Sequence, residues 1–129
     1  MITLDTLALV CWLGKQKALS QAAHDAIDRE LDGGEILISA ISALEIAEFV
    51  KAGSLGLSMD ARSWLSTFLK LDGVRLIPVD LEIAFRAATL PPVLTSHQRL
   101  IVATARTHGG ALVTSDAKVR ASTYVETIW

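Results

Sequence analysis

Three carboxylates stand at positions where the surrounding pattern is apolar. Asp5 ends the short run ITL, Asp116 follows ALVT with one serine between, and Glu45 lies one turn into the segment after EILIS. A charged group beside a buried strand is solvated, paired or used, because leaving it desolvated is costly. Two carboxylates about 4 Å apart repel by ~4 kcal/mol at an effective dielectric of ~20, so three on one rim would need a cation. Oxygen ligands without a nearby Cys or a paired His select a hard ion, and an incomplete cage that leaves water in place suits Mg2+ or Mn2+. His24, His97 and His108 lack metal-ligand spacing, which disfavours zinc. Each acid also has a purely structural use. Asp5 and Asp116 can cap the helix or turn that follows, and Ser42-x-x-Glu45 fits a capping box.

The elements that must position these residues follow from periodicity and punctuation. ITL reads as a strand and LALVCWLG as a helix stopped by Gly14; Ser20 caps SQAAHDAIDREL, which ends at Gly33 and Gly34. EILIS is a second strand and SALEIAEFVKAG a helix; SMDARSWLSTFLKLDG reads as a helix capped by Ser58 with Trp64, Leu65, Phe68 and Leu69 inward. VRLIPV is a strand, Asp80 caps LEIAFRAATL, and PPVLTSH is a loop leading to QRLIVATARTHGG, with Ser96 as its cap. ALVT, a short polar turn or helix around SDAKVRAS, and a strand near YVETI complete the chain. Strands alternating with helices predict right-handed crossovers and an α/β fold: a three-layer α/β/α sandwich around a mainly parallel central sheet. In such sheets ligands sit at the carboxyl ends of the strands, where Asp5 and Asp116 fall.

The 129 residues are read as a single domain, 1–129, large enough to bury a core without disulfides or metal. Hydrophobic content of 51% excludes a disordered chain and suggests apolar surface reserved for a partner or a second copy. A formal charge of −2 gives no global attraction for a polyanion, so nucleic-acid binding would need a local cluster of bases. Cys11, the only cysteine, reads as a reduced core thiol. The run LALVCWL is too short for a membrane span, and no basic residue precedes it as a signal peptide requires; a soluble, cytoplasmic protein is expected.

Four motifs in order resemble the PIN-domain ribonucleases, specifically VapC-type toxins of VapBC toxin-antitoxin systems. ITLDT is similar to the opening acid motif, ISAISALEIAEFVKAGSL to the second-acid helix, LPPVLTSHQRLIVATARTHGGALVTSD to the third and fourth motifs, and YVETIW to the closing strand. The resemblance implies a PIN-like fold and a Mg2+-dependent (or Mn2+-dependent) endoribonuclease. It further implies Asp5, Glu45 and Asp116 as metal ligands, with Thr6, Thr114 and Ser115 as polar support. It also implies a cognate VapB-type antitoxin that lays a segment in an apolar groove, and a homodimer or toxin-antitoxin hetero-oligomer. Helix faces in LALVCWL and ALEIAEFV would form that groove, with Trp12 and Phe49 as anchors or as plain core.

The departure from the family pattern is Gln98, where the family carries an Asp before the Arg; the matching stretch here is HQRLIVATA. A Gln oxygen can bind a metal or its water, but it adds no charge and cannot act as a general base. Two readings follow: an endoribonuclease whose site takes in Gln98 beside the acids, or a catalytically impaired PIN fold that binds antitoxin or RNA. Arg99, Lys118 and Arg120 adjoin the third and fourth motifs and are the candidate RNA-backbone contacts, with solvated surface charge as the alternative. His97 is a further candidate phosphate contact.

Overall fold

The computed structural model describes residues 1–14 and 16–129. The described strands are β1 (Ile2–Leu4), β2 (Ile36–Ser39), β3 (Val74–Ile77), β4 (Ala111–Val113) and β5 (Thr127–Ile128). The helices are α1 (Thr6–Leu13), α2 (Gln21–Leu31), α3 (Ala40–Lys51), α4 (Ala61–Phe68), α5 (Leu81–Ala88), α6 (Ser96–His108) and α7 (Ala117–Ala121). The sheet order is β3-β2-β1-β4-β5, and every adjacent pair is parallel. The expected α/β/α sandwich is therefore present, and the five-stranded sheet is wholly rather than mainly parallel.

Central strands covered on both faces are buried at every position, which is why β1, β2 and β4 are mostly apolar, with Thr3 and the strand-ending Ser39 as fully buried polar exceptions. The two-residue period then divides them. Ile36 and Ile38 join Leu4, Leu9, Ile27 and Trp64 on one side of the sheet, while Leu37 joins Leu112, Ile83, Val102 and Val119 on the other. α1, α2 and α4 cover the first face and α5, α6 and α7 the second. Trp12 belongs to the first core: it is 7% exposed and its ring lies 6.2 Å from that of Phe68. The anchor reading of Trp12 is thus corrected to core packing.

Three cap assignments are also corrected. α4 is capped by Asp60, whose carboxylate accepts from Ser63 N–H at 2.9 Å, and not by Ser58. α6 is capped by Thr95, one residue before Ser96. α3 begins directly from β2, so the strand's last residue, Ser39, supplies the cap and no box forms between Ser42 and Glu45. In each case a neighbouring Ser, Thr or Asp had the right chemistry, and the chain's entry angle chose among them.

The chain runs outward from the centre through β1, β2 and β3, then returns to lay β4 on the other side of β1. That reversal opens a crevice between the carboxyl ends of β1 and β4. The return is tight: Gly110 has φ +89° before β4, and a Cβ there would collide with the carbonyl of Met1. Asp5 N–H donates to Val113 O at 3.1 Å and so fixes the two strand ends side by side.

Candidate active site

Each acid reaches the crevice from a different element. Asp5 is the N-cap of α1, and its Oδ1 accepts the Ala8 amide at 2.7 Å. Asp116 is the N-cap of α7, with Oδ1 accepting the amides of Lys118 and Val119, each at 3.0 Å. Both structural uses anticipated from the sequence are therefore present, and they place these carboxylates at the switch point.

Glu45 arrives from α3 by a different device. Thr6 Oγ1 is 2.7 Å from Glu45 Oε1 and 2.9 Å from Ser42 Oγ. A carboxylate has no proton to give, so the single Thr6 proton goes to Glu45, and the buried Ser42 hydroxyl donates to Thr6. Ser42 is thus part of a relay that aims Glu45. This role was missed because the Ser-x-x-Glu spacing suggested a local capping box. The spacing that mattered was one helical turn, which puts Ser42 and Glu45 on one face toward α1.

Thr114 joins the two aspartates. Its Oγ1 accepts the Asp116 amide at 3.1 Å, and its side chain hydrogen-bonds Asp5. Burial is the largest influence on Asp5 and raises its carboxyl above the ordinary 3.8; hydrogen bonds from Thr114 and Ala8 oppose this, and the charges of Asp116 and Glu45 add to the rise. Ionised Asp5 is therefore held in an environment that favours a positive neighbour.

Gln98 lies on the first turn of α6. Its Oε1 accepts the Thr95 amide at 2.9 Å, and its Nε2 donates to Asp116 Oδ2 at 3.1 Å. His97 Nδ1 is 3.5 Å from Glu45 Oε2, an ion pair when the imidazole is protonated. The sequence raised His97 only as a phosphate contact; the structure sets it against an acid.

A groove of about 580 Å³ contains Asp5, Thr6, Glu45, Gln98, Thr114, Ser115 and Asp116 at its polar end. Leu7, Val10, Phe49 and Leu55 continue it as an apolar wall between α1 and α3. Phe49 is 42% exposed on this wall, so the plain-core alternative is corrected for it. Leu7 and Val10 were not singled out from sequence, although α1 is apolar around its whole circumference, a sign that a second face is meant to be covered.

The three candidate basic residues do not line the groove. Lys118 and Arg120 are exposed on α7, next to Asp116. Arg99 is half-buried on α6, and its guanidinium lies 3.3 Å from Ser96 Oγ.

Asp5, Glu45 and Asp116 supply hard oxygens only, and each is tethered by hydrogen bonds to a separate part of the rim. This suits Mg2+ or Mn2+ in an open site that keeps waters. Among the described residues, no group of three or more His, Cys, Asp or Glu side chains is gathered closely enough to hold a metal ion as they stand, so the three acids would have to draw together around it.

The sequence profile of the PIN domain matches residues 2–122. The chain belongs to the PIN-domain family. This PIN domain is 30% identical to Ribonuclease VapC22 of Mycobacterium tuberculosis over 132 aligned positions, which take in 99% of this chain and 98% of the relative. Its fold is similar to that of VapBC2 from Rickettsia felis, solved with a promoter DNA fragment, with TM-score 0.72, 18% identity and coverage of 98% and 97% of the two chains. It is also similar to FitAcB from Neisseria gonorrhoeae, with TM-score 0.66, 22% identity and coverage of 98% and 96%. Among the described residues, no helix of this PIN domain is long and apolar enough to cross a membrane.

Proposed function

We propose that this PIN domain is a cytoplasmic endoribonuclease toxin of the VapC type, dependent on Mg2+ or Mn2+ and neutralised by a VapB-type antitoxin. The observation that carries the reading is the meeting of Asp5 and Asp116 at the β1/β4 switch point, with Glu45 turned into the same groove by Thr6. The similarity to Ribonuclease VapC22 supports it.

Asp5, Glu45 and Asp116 would hold the ion. The chemistry it supplies when bound is polarisation of a phosphoryl oxygen and activation of water. The chain's own residues do the rest. Thr6 and Thr114 fix the carboxylates by hydrogen bonds, and Ser115 offers a further hydroxyl in the groove. Lys118 and Arg120, exposed beside Asp116 and outside the groove lining, would hold the RNA backbone, with Arg99 in a lesser part. The reaction needs no nucleophilic Ser or Cys.

The apolar wall of Leu7, Val10, Phe49 and Leu55 supports docking of the antitoxin segment. Leu81 and Phe85, 75% and 67% exposed and one turn apart on α5, support a homodimer or a toxin-antitoxin hetero-oligomer.

The test is RNA cleavage by purified protein with Mg2+ or Mn2+, beside Asp5→Asn. Cleavage that disappears in Asp5→Asn supports the nuclease. The hydrogen bond from Gln98 to Asp116 favours one second reading, a PIN fold that binds antitoxin or RNA without cutting. That reading requires a silent parent protein and cleavage by Gln98→Asp.

A further inference from the structure

Gln98 is held at both ends of its side-chain amide. Oε1 accepts the Thr95 N–H at 2.9 Å while Thr95 Oγ1 accepts the Gln98 N–H at 3.1 Å, a reciprocal capping box at the start of α6. A backbone N–H can only donate, so the amide oxygen must face Thr95, and the atom directed at Asp116 Oδ2 is Nε2. Flipping the amide would set an N–H donor against the Thr95 N–H and an oxygen against a carboxylate. Asp116 Oδ1 already accepts the Lys118 and Val119 amides, so both of its oxygens receive N–H donors from the protein.

Resting on the metal-nuclease reading above, we propose that Gln98 is a positioning residue that substitutes for a cation at Asp116 and limits the groove to a single divalent ion. A cation approaching Asp116 Oδ2 from the α6 side would have to displace an N–H donor whose side chain cannot swing away without giving up the bond from the Thr95 N–H and opening the capping box. Charge points the same way. The groove holds the carboxylates of Asp5, Glu45 and Asp116, whose three negative charges exceed one dication and fall short of two. An acid at position 98 would supply the fourth charge and remove the competing donor together.

The informative variant is Gln98→Glu. It keeps the side-chain length and an oxygen for the Thr95 amide, as a capping box allows, and replaces only the N–H that faces Asp116. The measurement is the number of Mn2+ ions bound per chain, read by electron paramagnetic resonance of free ion during titration, with melting temperature followed in chelator and in Mn2+. The wild type is expected to take a single ion and Gln98→Glu a second. In chelator Gln98→Glu should melt below the wild type, and Mn2+ should close the gap, because it screens the new carboxylate pair.

Two ions bound by the wild type would overturn the inference and leave the nuclease reading standing. No ion bound by the wild type would overturn both. A folded Gln98→Glu that still takes one ion would show that the amide is not what excludes the second. The wild-type count stands as a test by itself if the variant does not fold.

Discussion

Thr6 and Glu45 are 39 residues apart in sequence, yet Thr6 Oγ1 lies 2.7 Å from Glu45 Oε1 and joins α1 to α3 at the rim of the groove. The bond is charge-assisted, and Ser42, fully buried, completes it from the α3 side. Thr6→Val keeps the shape of the side chain while leaving the Ser42 hydroxyl and one Glu45 oxygen without their partner. It should cost about 1–3 kcal/mol of stability by denaturant unfolding. RNA cleavage should fall by roughly 10–100-fold, the usual effect of losing an outer partner of a metal ligand. Thr6→Ser, which keeps the hydroxyl, should retain most of both. Equal unfolding midpoints for Thr6→Val and wild type would show that the relay contributes nothing to the fold.

Asp5 links stability to activity with opposite signs. Burial raises its folded carboxyl above the ordinary 3.8, so the unfolded chain loses this proton first as pH rises. The stability attached to the protonated form is complete below about pH 3.8 and is lost as pH climbs through the raised folded value. Asp5→Asn removes that loss and keeps the cap on Ala8, since Asn is as good an N-cap as Asp. Its melting temperature without metal should exceed that of the wild type at pH 7, and the difference should vanish toward pH 3.8. Mn2+ at about 100 times its dissociation constant should stabilise the wild type by ~2.7 kcal/mol and the variant far less. Cleavage by the variant should be lost. A variant less stable than wild type at pH 7 would refute the desolvation argument.

Lys118 and Arg120 differ from Arg99 in what their charges are free to do. Both stand exposed on α7 beside Asp116, whereas Arg99 is half-buried with its guanidinium at Ser96. Lys118→Ala should weaken RNA binding evenly across sequences and reduce the slope of log affinity against log salt by about one phosphate contact. Arg99→Ala should change that slope less and unfolding more. Filter binding across a salt series separates the two, and an unchanged slope for Lys118→Ala would remove α7 from the RNA path.

The strand-end acids were legible because a short apolar run that stops at Asp is an unusual pattern, and parallel topology sends all such stops to one rim. The position of Glu45 was legible too, but its reason was not. A Ser-x-x-Glu spacing looks the same whether it closes a local box or faces a neighbouring helix, and only the direct β2-to-α3 junction, with Ser39 as cap, decides between them. The shift of the α6 cap to Thr95 is of the same kind and has more consequence, since it makes Gln98 the third residue of a capping box and so directs its amide. Within α1 every residue is apolar or small after Thr6, so sequence could not separate Trp12, packed on Phe68, from Leu7 and Val10, which line the groove.

That division of α1 gives the last prediction. The groove's apolar end combines Leu7 and Val10 of α1 with Phe49 of α3 and Leu55 beyond it, and its polar end is the acid rim. A bound segment presenting an apolar residue to Phe49 and a basic one to the acids would satisfy both ends at once. Phe49→Asp leaves the sheet and both cores untouched, because Phe49 belongs to neither. It should therefore preserve melting temperature and RNA cleavage while weakening capture of the cognate antitoxin by at least about 30-fold, the effect of losing an aromatic hot spot worth ~2 kcal/mol. Isothermal titration with the antitoxin's peptide measures this directly. Unchanged affinity would place the partner elsewhere, and a matching loss of cleavage would make Phe49 part of the RNA path instead.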